Sequence, residues 1–93
     1  MKNNNEIKTD AKHYNGNSLF WFSIDGEAIG QMSISYSNDE FLDTEEETIQ
    51  DLKERLMEYI QELEKEYGAV LDQSLFDYHF LTVESYVNNY FPE

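Results

Sequence analysis

The feature that most constrains the fold is an apolar stripe over residues 44–67. Thr44 followed by Glu47 predicts a capping box at the start of a helix, and Gly68 is a typical helix terminator. Between them, apolar side chains recur at spacings of three and four residues, which places them along one side of an α-helix: Ile49, Leu52, Leu56, Ile60, Leu63 and Tyr67. We therefore predict one long amphipathic helix near 44–67.

A β-hairpin is predicted near 18–36, where an aromatic segment and an alternating segment flank Asp25-Gly26. A two-residue loop would set Phe20 and Phe22 opposite polar side chains, because a shift of one residue exchanges the two faces of a strand. We therefore predict a three-residue loop closing on Gly26. It pairs even positions with even positions and gathers four apolar side chains on one face: Phe20, Phe22, Met32 and Ile34.

Two further segments have weaker patterns. Residues 6–14 alternate loosely, which predicts an edge strand. Residues 76–87 are rich in aromatic and β-branched residues, which favours a strand, although a helical stripe capped by Ser74 also fits four of them: Phe76, Phe80, Val83 and Val87. The predicted fold class is α+β, with a small antiparallel sheet packed on one long helix. We expect a single domain over 1–93, with residues 1–5 disordered.

The charge of the chain is strongly one-sided. Twenty acidic residues face six basic ones, for a formal net charge of −14. No Lys or Arg occurs between His13 and Leu52, nor from Glu66 to the end. Such a field repels nucleic acids and anionic membranes and attracts basic surfaces. The expected partner is a basic protein, with no direct binding to nucleic acid or to membranes.

Composition and motifs argue against catalysis and bound cofactors. The chain contains no cysteine, which excludes disulfides and thiolate chemistry and favours the cytoplasm. The acids near 39–47 lack the mid-loop glycine of a calcium-binding EF-hand, and His13 and His79 are expected to be surface or packing residues. Without a nucleophile motif or a glycine-rich phosphate loop, we predict no enzyme, no cofactor and no metal site.

Acidic residues also line the predicted helix on the side opposite its apolar stripe. Their spacings of four and three residues put neighbouring side chains roughly 5–6 Å apart, a length scale similar to that of phosphates along a DNA strand. With the preceding loop and Trp21 as an aromatic anchor, the candidate partner-binding residues are Asp39, Glu40, Asp43, Glu45, Glu46, Glu47, Asp51, Glu54, Glu58, Glu62 and Trp21. Tyr36 is a second candidate anchor.

In size, charge, lack of cysteine and layout, the chain resembles small phage-encoded inhibitors, including anti-CRISPR and anti-restriction proteins that mimic DNA. The resemblance rests on these acidic residues and implies binding to the nucleic-acid groove or PAM-reading surface of a nuclease, in the host cytosol. Small acidic immunity proteins, which neutralise a basic toxin nuclease, share the same features. A self-associating structural or regulatory domain is a further alternative, in which a homodimer would bury Tyr86, Tyr90 and Phe91.

Overall fold

The computed structural model describes residues 5–36 and 41–91. It has an α+β fold, which confirms the predicted class. A four-stranded mixed sheet has the order β3-β2-β1-β4, in which β4 runs parallel to β1 and the other pairs are antiparallel. The elements are β1 (Glu6–Tyr14), β2 (Asn17–Ile24), β3 (Glu27–Ser35), α1 (Glu45–Tyr67), β4 (Val70–Leu71) and α2 (Gln73–Asn89). Residues 1–4 of the segment expected to be disordered lie outside the described residues.

The hairpin has the predicted register but reaches it differently. Phe20 pairs with Met32, so even positions face even positions. The loop, however, has two residues: Asp25 and Gly26 both have positive φ, the combination that a type I′ turn requires. A β-bulge at Phe22/Ser23 then shifts the register by one residue. The predicted three-residue loop was wrong because the extra residue lies inside the ladder.

Helix α1 confirms the predicted helix near 44–67, except that Tyr67 of the predicted apolar stripe is 41% exposed. The Thr44 side chain accepts a hydrogen bond from the Glu47 backbone N–H at 3.1 Å, and Gly68 ends the helix in the left-handed conformation. The buried stripe is Thr48, Leu52, Leu56, Ile60 and Leu63.

The favoured strand at 76–87 was wrong, because this segment lies within helix α2. Asp72, not Ser74, caps the helix by accepting from the Leu75 N–H at 3.3 Å. Four side chains at helical spacing are buried against the sheet: Phe76, Phe80, Val83 and Val87. The two aromatic side chains among them, Phe76 and Phe80, pack on Phe20. Burial of this stripe outweighs the modest β-propensity of the segment.

Both helices pack on the same face of the sheet. Phe20 in β2 contacts rings of α2, whereas Phe22 contacts Tyr59 of α1. Strand β1 confirms a strand at 6–14, and its Ile7 lies in the same core. The predicted edge position and purely antiparallel sheet were wrong, because β4 pairs in parallel with the start of β1. Because side chains alternate along a strand, odd-numbered residues of β2 point to the opposite face.

Candidate acidic interface

The exposed side of α1 carries a line of carboxylates. We call five residues the α1 acid row: Glu47, Asp51, Glu54, Glu58 and Glu62. Four of them are exposed, and Asp51 is half-buried. They are carried on the helix side away from Leu52 and Leu56, which are buried. The same 3.6-residue periodicity that fixes the packing of α1 therefore aligns the acids in solvent.

Two members of the α1 acid row have polar partners on the same helix. Arg55 donates to the Asp51 carboxylate at 2.6 Å, and Gln50 donates to the Glu54 carboxylate at 3.1 Å. Exposed ion pairs of this kind contribute little to stability. Arg55 nevertheless neutralises part of the charge on Asp51, and Gln50 occupies the Glu54 carboxylate. The most accessible carboxylates of the α1 acid row are therefore those of Glu47, Glu58 and Glu62.

The acids that precede and begin α1 divide into separate environments. Asp43 and Glu46 are exposed. Glu45 instead turns towards α2, where its carboxylate accepts from the Asn88 side-chain amide at 2.7 Å. Asp39 and Glu40 lie outside the described residues.

An open groove of about 810 Å³ borders the first half of α1. Its apolar part is formed by Leu42 and Ile49. Acids surround this part and include members of the α1 acid row, with Glu84 contributed by α2: Glu46, Glu47, Asp51, Glu54 and Glu84. Lys53 also lines the groove, but its ammonium lies 3.7 Å from the Asp77 carboxylate of α2. The groove therefore presents apolar surface within a negative rim.

The two predicted aromatic anchors do not join this surface. Trp21 pairs with Asp10 and Gln31 in the sheet, and it points to the face that the helices do not cover. Tyr36 is only 1% exposed, so it is a core residue and cannot anchor a partner. The acids and Trp21 thus lie on different sides of the molecule.

The aromatic tail expected to form a dimer packs largely within its own chain. Tyr86 packs edge-on against Tyr36, with 5.0 Å between the ring centroids. Phe91 stacks on Phe41, with 5.7 Å between the ring centroids. Tyr90 keeps 44% of its surface exposed. A dimer that buries Tyr86 and Phe91 would have to displace these contacts.

A buried polar chain was missed at the sequence level. His13 Nδ1 lies 2.6 Å from Ser18 Oγ, which in turn lies 2.6 Å from the Tyr36 hydroxyl. Ser18 and Tyr36 are buried, so a substrate cannot reach either hydroxyl. These hydrogen-bonded side chains therefore have a structural role. Burial, followed by the nearby His79, holds the pKa of His13 below its ordinary value. The signal was present: Ser18 is in phase with Phe20 and Phe22, and a buried hydroxyl needs a partner.

Comparisons with known proteins add no relative. The chain matches no protein-family model, no curated protein and no solved structure. Over residues 5–36 and 41–91, no three histidine or carboxylate side chains are grouped so that they could hold a metal ion. Within the same ranges, neither helix has an apolar stretch of the length that a bilayer crossing demands.

Proposed function

We propose that this protein is an inhibitor that blocks the basic nucleic-acid-binding surface of a partner protein by DNA mimicry. The observation that carries the proposal is the α1 acid row, a solvent-exposed line of carboxylates on a rigid helix. A preformed row does not have to be ordered during binding, which lowers the entropic cost of association.

The charge density of the row supports this proposal. From Glu47 to Glu62 the helix rises about 22 Å, at ~1.5 Å per residue. One strand of B-form DNA carries a phosphate every ~3.4 Å of helix axis, so about seven phosphates span that length. The row has five carboxylates. It therefore matches a single phosphate strand more closely than a whole duplex.

Within the described residues, the basic side chains compensate this field only in part. Lys65 borders Glu58 and Glu62 at the C-terminal end of the α1 acid row. Lys8 binds Glu6 and Asp72, far from the α1 acid row. Lys53 is directed to Asp77 and Arg55 to Asp51. Lysine and arginine side chains on a partner would consequently meet exposed glutamates.

The partner class that fits is a nuclease of the CRISPR or restriction type. Such enzymes hold nucleic acid in cationic channels, and some read short sequences with arginine side chains. The α1 acid row would occupy these side chains and exclude the nucleic acid. Electrostatic steering would speed association, and added salt would weaken binding.

The test compares two triple variants with the same change in net charge. The row triple carries Glu54→Gln, Glu58→Gln and Glu62→Gln. The sheet triple carries Asp10→Asn, Asp25→Asn and Glu27→Gln, all at exposed positions on the strands and the hairpin turn. Each variant removes three negative charges, so only the location differs.

Both variants and the wild type are added to DNA-cleavage assays with CRISPR effector nucleases, restriction endonucleases and basic toxin nucleases. We expect at least one nuclease to be inhibited by the wild type and the sheet triple, with the row triple about tenfold weaker or more. Equal inhibition by the two triples would show that total charge acts rather than the row. Inhibition of the toxin nuclease alone would indicate an immunity protein.

A further inference from the structure

The open groove beside the first half of α1 has on its floor a leucine that the fold holds at the surface. Leu42 is 45% exposed. Its backbone N–H donates to Thr48 Oγ1 at 2.9 Å, and Thr48 is itself buried in α1. The preceding residue, Phe41, packs on Tyr90 and Phe91 beyond the end of α2. The segment before α1 is therefore fixed at two points, which keep the Leu42 side chain in the groove rather than in the core.

The groove continues from α1 towards the last turns of α2. A second hollow of about 340 Å³ shares Ile49 and Glu84 with it and extends to Ser85 and Asn88. Binding sites commonly combine an apolar floor with a few polar groups that orient the ligand. The joined hollows border both helices, so they offer room for a short peptide rather than for a single ion.

The rim of the groove carries carboxylates that lack a cationic partner. Among the residues that the structure describes, three rim carboxylates have no ion pair: Glu46, Glu47 and Glu84. The Lys53 ammonium is directed elsewhere, 3.7 Å from the Asp77 carboxylate and 5.7 Å from the centroid of the Phe80 ring. Covering these carboxylates with an uncharged ligand would bury charge without a partner, which is costly. A ligand that covers the groove therefore has to bring positive charge as well as apolar surface.

We propose that this groove binds a short basic segment of a partner protein, in which one apolar side chain lies between lysine or arginine residues. The apolar side chain packs on Leu42 and Ile49, and the flanking cations reach the rim carboxylates. Charge complementarity selects this occupant, because the rim repels nucleic acids, anionic membranes and a second copy with its own net charge of −14. The inference rests on the proposed function for the kind of partner, and it adds the chemistry of the segment that the partner presents.

The groove and the α1 acid row differ in what they recognise. The row offers carboxylates alone, so its affinity for a partner depends on charge and its placement. The groove also requires an apolar side chain, because its floor is apolar. Leu42, Ile49 and Glu84 line the groove and do not belong to the row. Substitutions at these positions consequently separate the two surfaces.

The first experiment compares two synthetic peptides by isothermal titration calorimetry at low salt. One peptide has a leucine with two arginines on each side, and the other has serine in place of that leucine. Both have blocked ends, so they carry the same charge. We expect the protein to bind the leucine peptide about fivefold or more tightly, because leucine alone covers the apolar floor. Equal affinities, or no detectable binding of either peptide, would overturn the proposal.

Two variants test whether the groove is the source of this preference. Leu42→Ser removes the exposed leucine and should reduce the preference to less than about twofold. Val70→Ser is the matched control, since Val70 is 66% exposed and follows the opposite end of α1. It should retain the full preference, and thermal melts establish that both variants are folded. An undiminished preference in Leu42→Ser would place the peptide elsewhere and contradict the proposal.

Methyl NMR locates the bound peptide directly on the wild-type chain. The chain has six isoleucines, all within the described ranges, and Ile49 is the one that lines the groove. In protein labelled at the isoleucine δ1 methyl groups, the leucine peptide should shift the Ile49 signal most, with Ile49→Val providing the assignment. A shift of other isoleucine signals without Ile49 would be evidence against the groove.

Nuclease assays distinguish failure of this inference from failure of the proposed function. If the row triple loses inhibition while Leu42→Ser and Glu84→Gln inhibit as well as the wild type, the proposed function stands and the groove inference is wrong. If the leucine peptide is preferred but the protein inhibits no nuclease, the proposed function is wrong and the groove is supported as a site for basic segments of another protein.

Discussion

At the scale of single residues, the buried chain from His13 through Ser18 to Tyr36 is the most consequential arrangement in the core. If the Tyr36 hydroxyl donates to Ser18 and Ser18 donates to Nδ1, all three groups are satisfied while His13 is neutral. When Nδ1 carries a proton, both hydrogen bonds can reverse, so their direction does not set the charge of the ring. Burial, followed by the nearby His79, disfavours the charged ring and lowers the pKa of His13.

This arrangement predicts a pH-dependent stability. The pKa of His13 is lowered in the fold and lies at 6.5, its ordinary value, in the unfolded chain. The unfolded chain thus binds more protons, and the free energy of unfolding should fall as pH drops below about 6.5 towards the lowered value. Urea unfolding across this range measures the effect. Gln at position 13 cannot titrate, so the free energy of unfolding of His13→Gln should depend less on pH than that of the wild type. Equal dependence on pH in the two proteins would contradict the prediction.

Gly30 provides a second prediction at this scale. A Cβ atom there would collide with the Tyr59 hydroxyl, which accepts a hydrogen bond from the Gln31 N–H at 3.1 Å. Gly30→Ala should therefore lower the free energy of unfolding by about 1–3 kcal/mol, as overpacking typically does. Adding Tyr59→Phe removes the colliding oxygen and should restore part of the loss. Strictly additive losses in a double-mutant cycle would show that the two residues do not compete for space.

At the scale of elements, α1 was predictable because its capping residues, apolar stripe and terminating glycine all agree. Segment 76–87 carried conflicting signals. Its aromatic and β-branched residues favour a strand, while its i, i+4 pattern fits a helix. Tertiary contact with Phe20 decides in favour of the helix. The two-residue strand β4 has no sequence signal, because its pairing depends on where α1 ends and α2 begins.

Asp72 has two roles at the start of α2, and both can be tested. Its carboxylate caps the helix and also accepts from Lys8 of β1 at 2.8 Å. The hydrogen bond from Lys8, followed by that from the Leu75 N–H, holds the pKa of Asp72 below its ordinary value of 3.8. Its contribution to stability is complete above that value and should be lost as pH falls through the lowered one.

Two substitutions separate these roles. Asp72→Asn keeps a capping oxygen but loses the charge, whereas Asp72→Ala loses both. We expect the melting temperature to decrease in the order wild type, Asp72→Asn, Asp72→Ala at neutral pH. Lys8→Met should lower the melting temperature at least as much as Asp72→Asn, since it removes the ion pair with Asp72 and also the one with Glu6. Equal melting temperatures for the Asn and Ala variants would exclude a capping contribution.

At the scale of the whole molecule, the acids of α1 were predictable as a surface, but the site as a whole was not. The row follows from helical periodicity alone, so its placement on the exposed side required only the apolar stripe. The positions of Trp21 and Tyr36 relative to the acids depend on which face of the sheet the helices cover and on the course of the chain after β3. Those are long-range properties, and the structure separates both residues from the acids.

The arrangement of charge predicts a cost in stability that depends on position. Glu54, Glu58 and Glu62 follow one another at i, i+4, and like charges at that spacing destabilise a helix by about 0.2–0.5 kcal/mol per pair. The row triple removes three such pairs, because Glu62 also faces Glu66 at i, i+4. Its free energy of unfolding should therefore be about 0.6–1.5 kcal/mol higher than that of the wild type at low salt. The sheet triple changes the net charge equally, but its free energy of unfolding should increase less.

High salt should erase most of this difference, because screening already weakens the repulsion in the wild type. Denaturant titrations of the three proteins at two ionic strengths provide the comparison. Equal gains in both triples would mean that the net charge destabilises the fold as a whole. A gain confined to the row triple would mean that the chain retains a costly line of carboxylates on α1, as expected for residues maintained to bind a basic partner rather than to stabilise the fold.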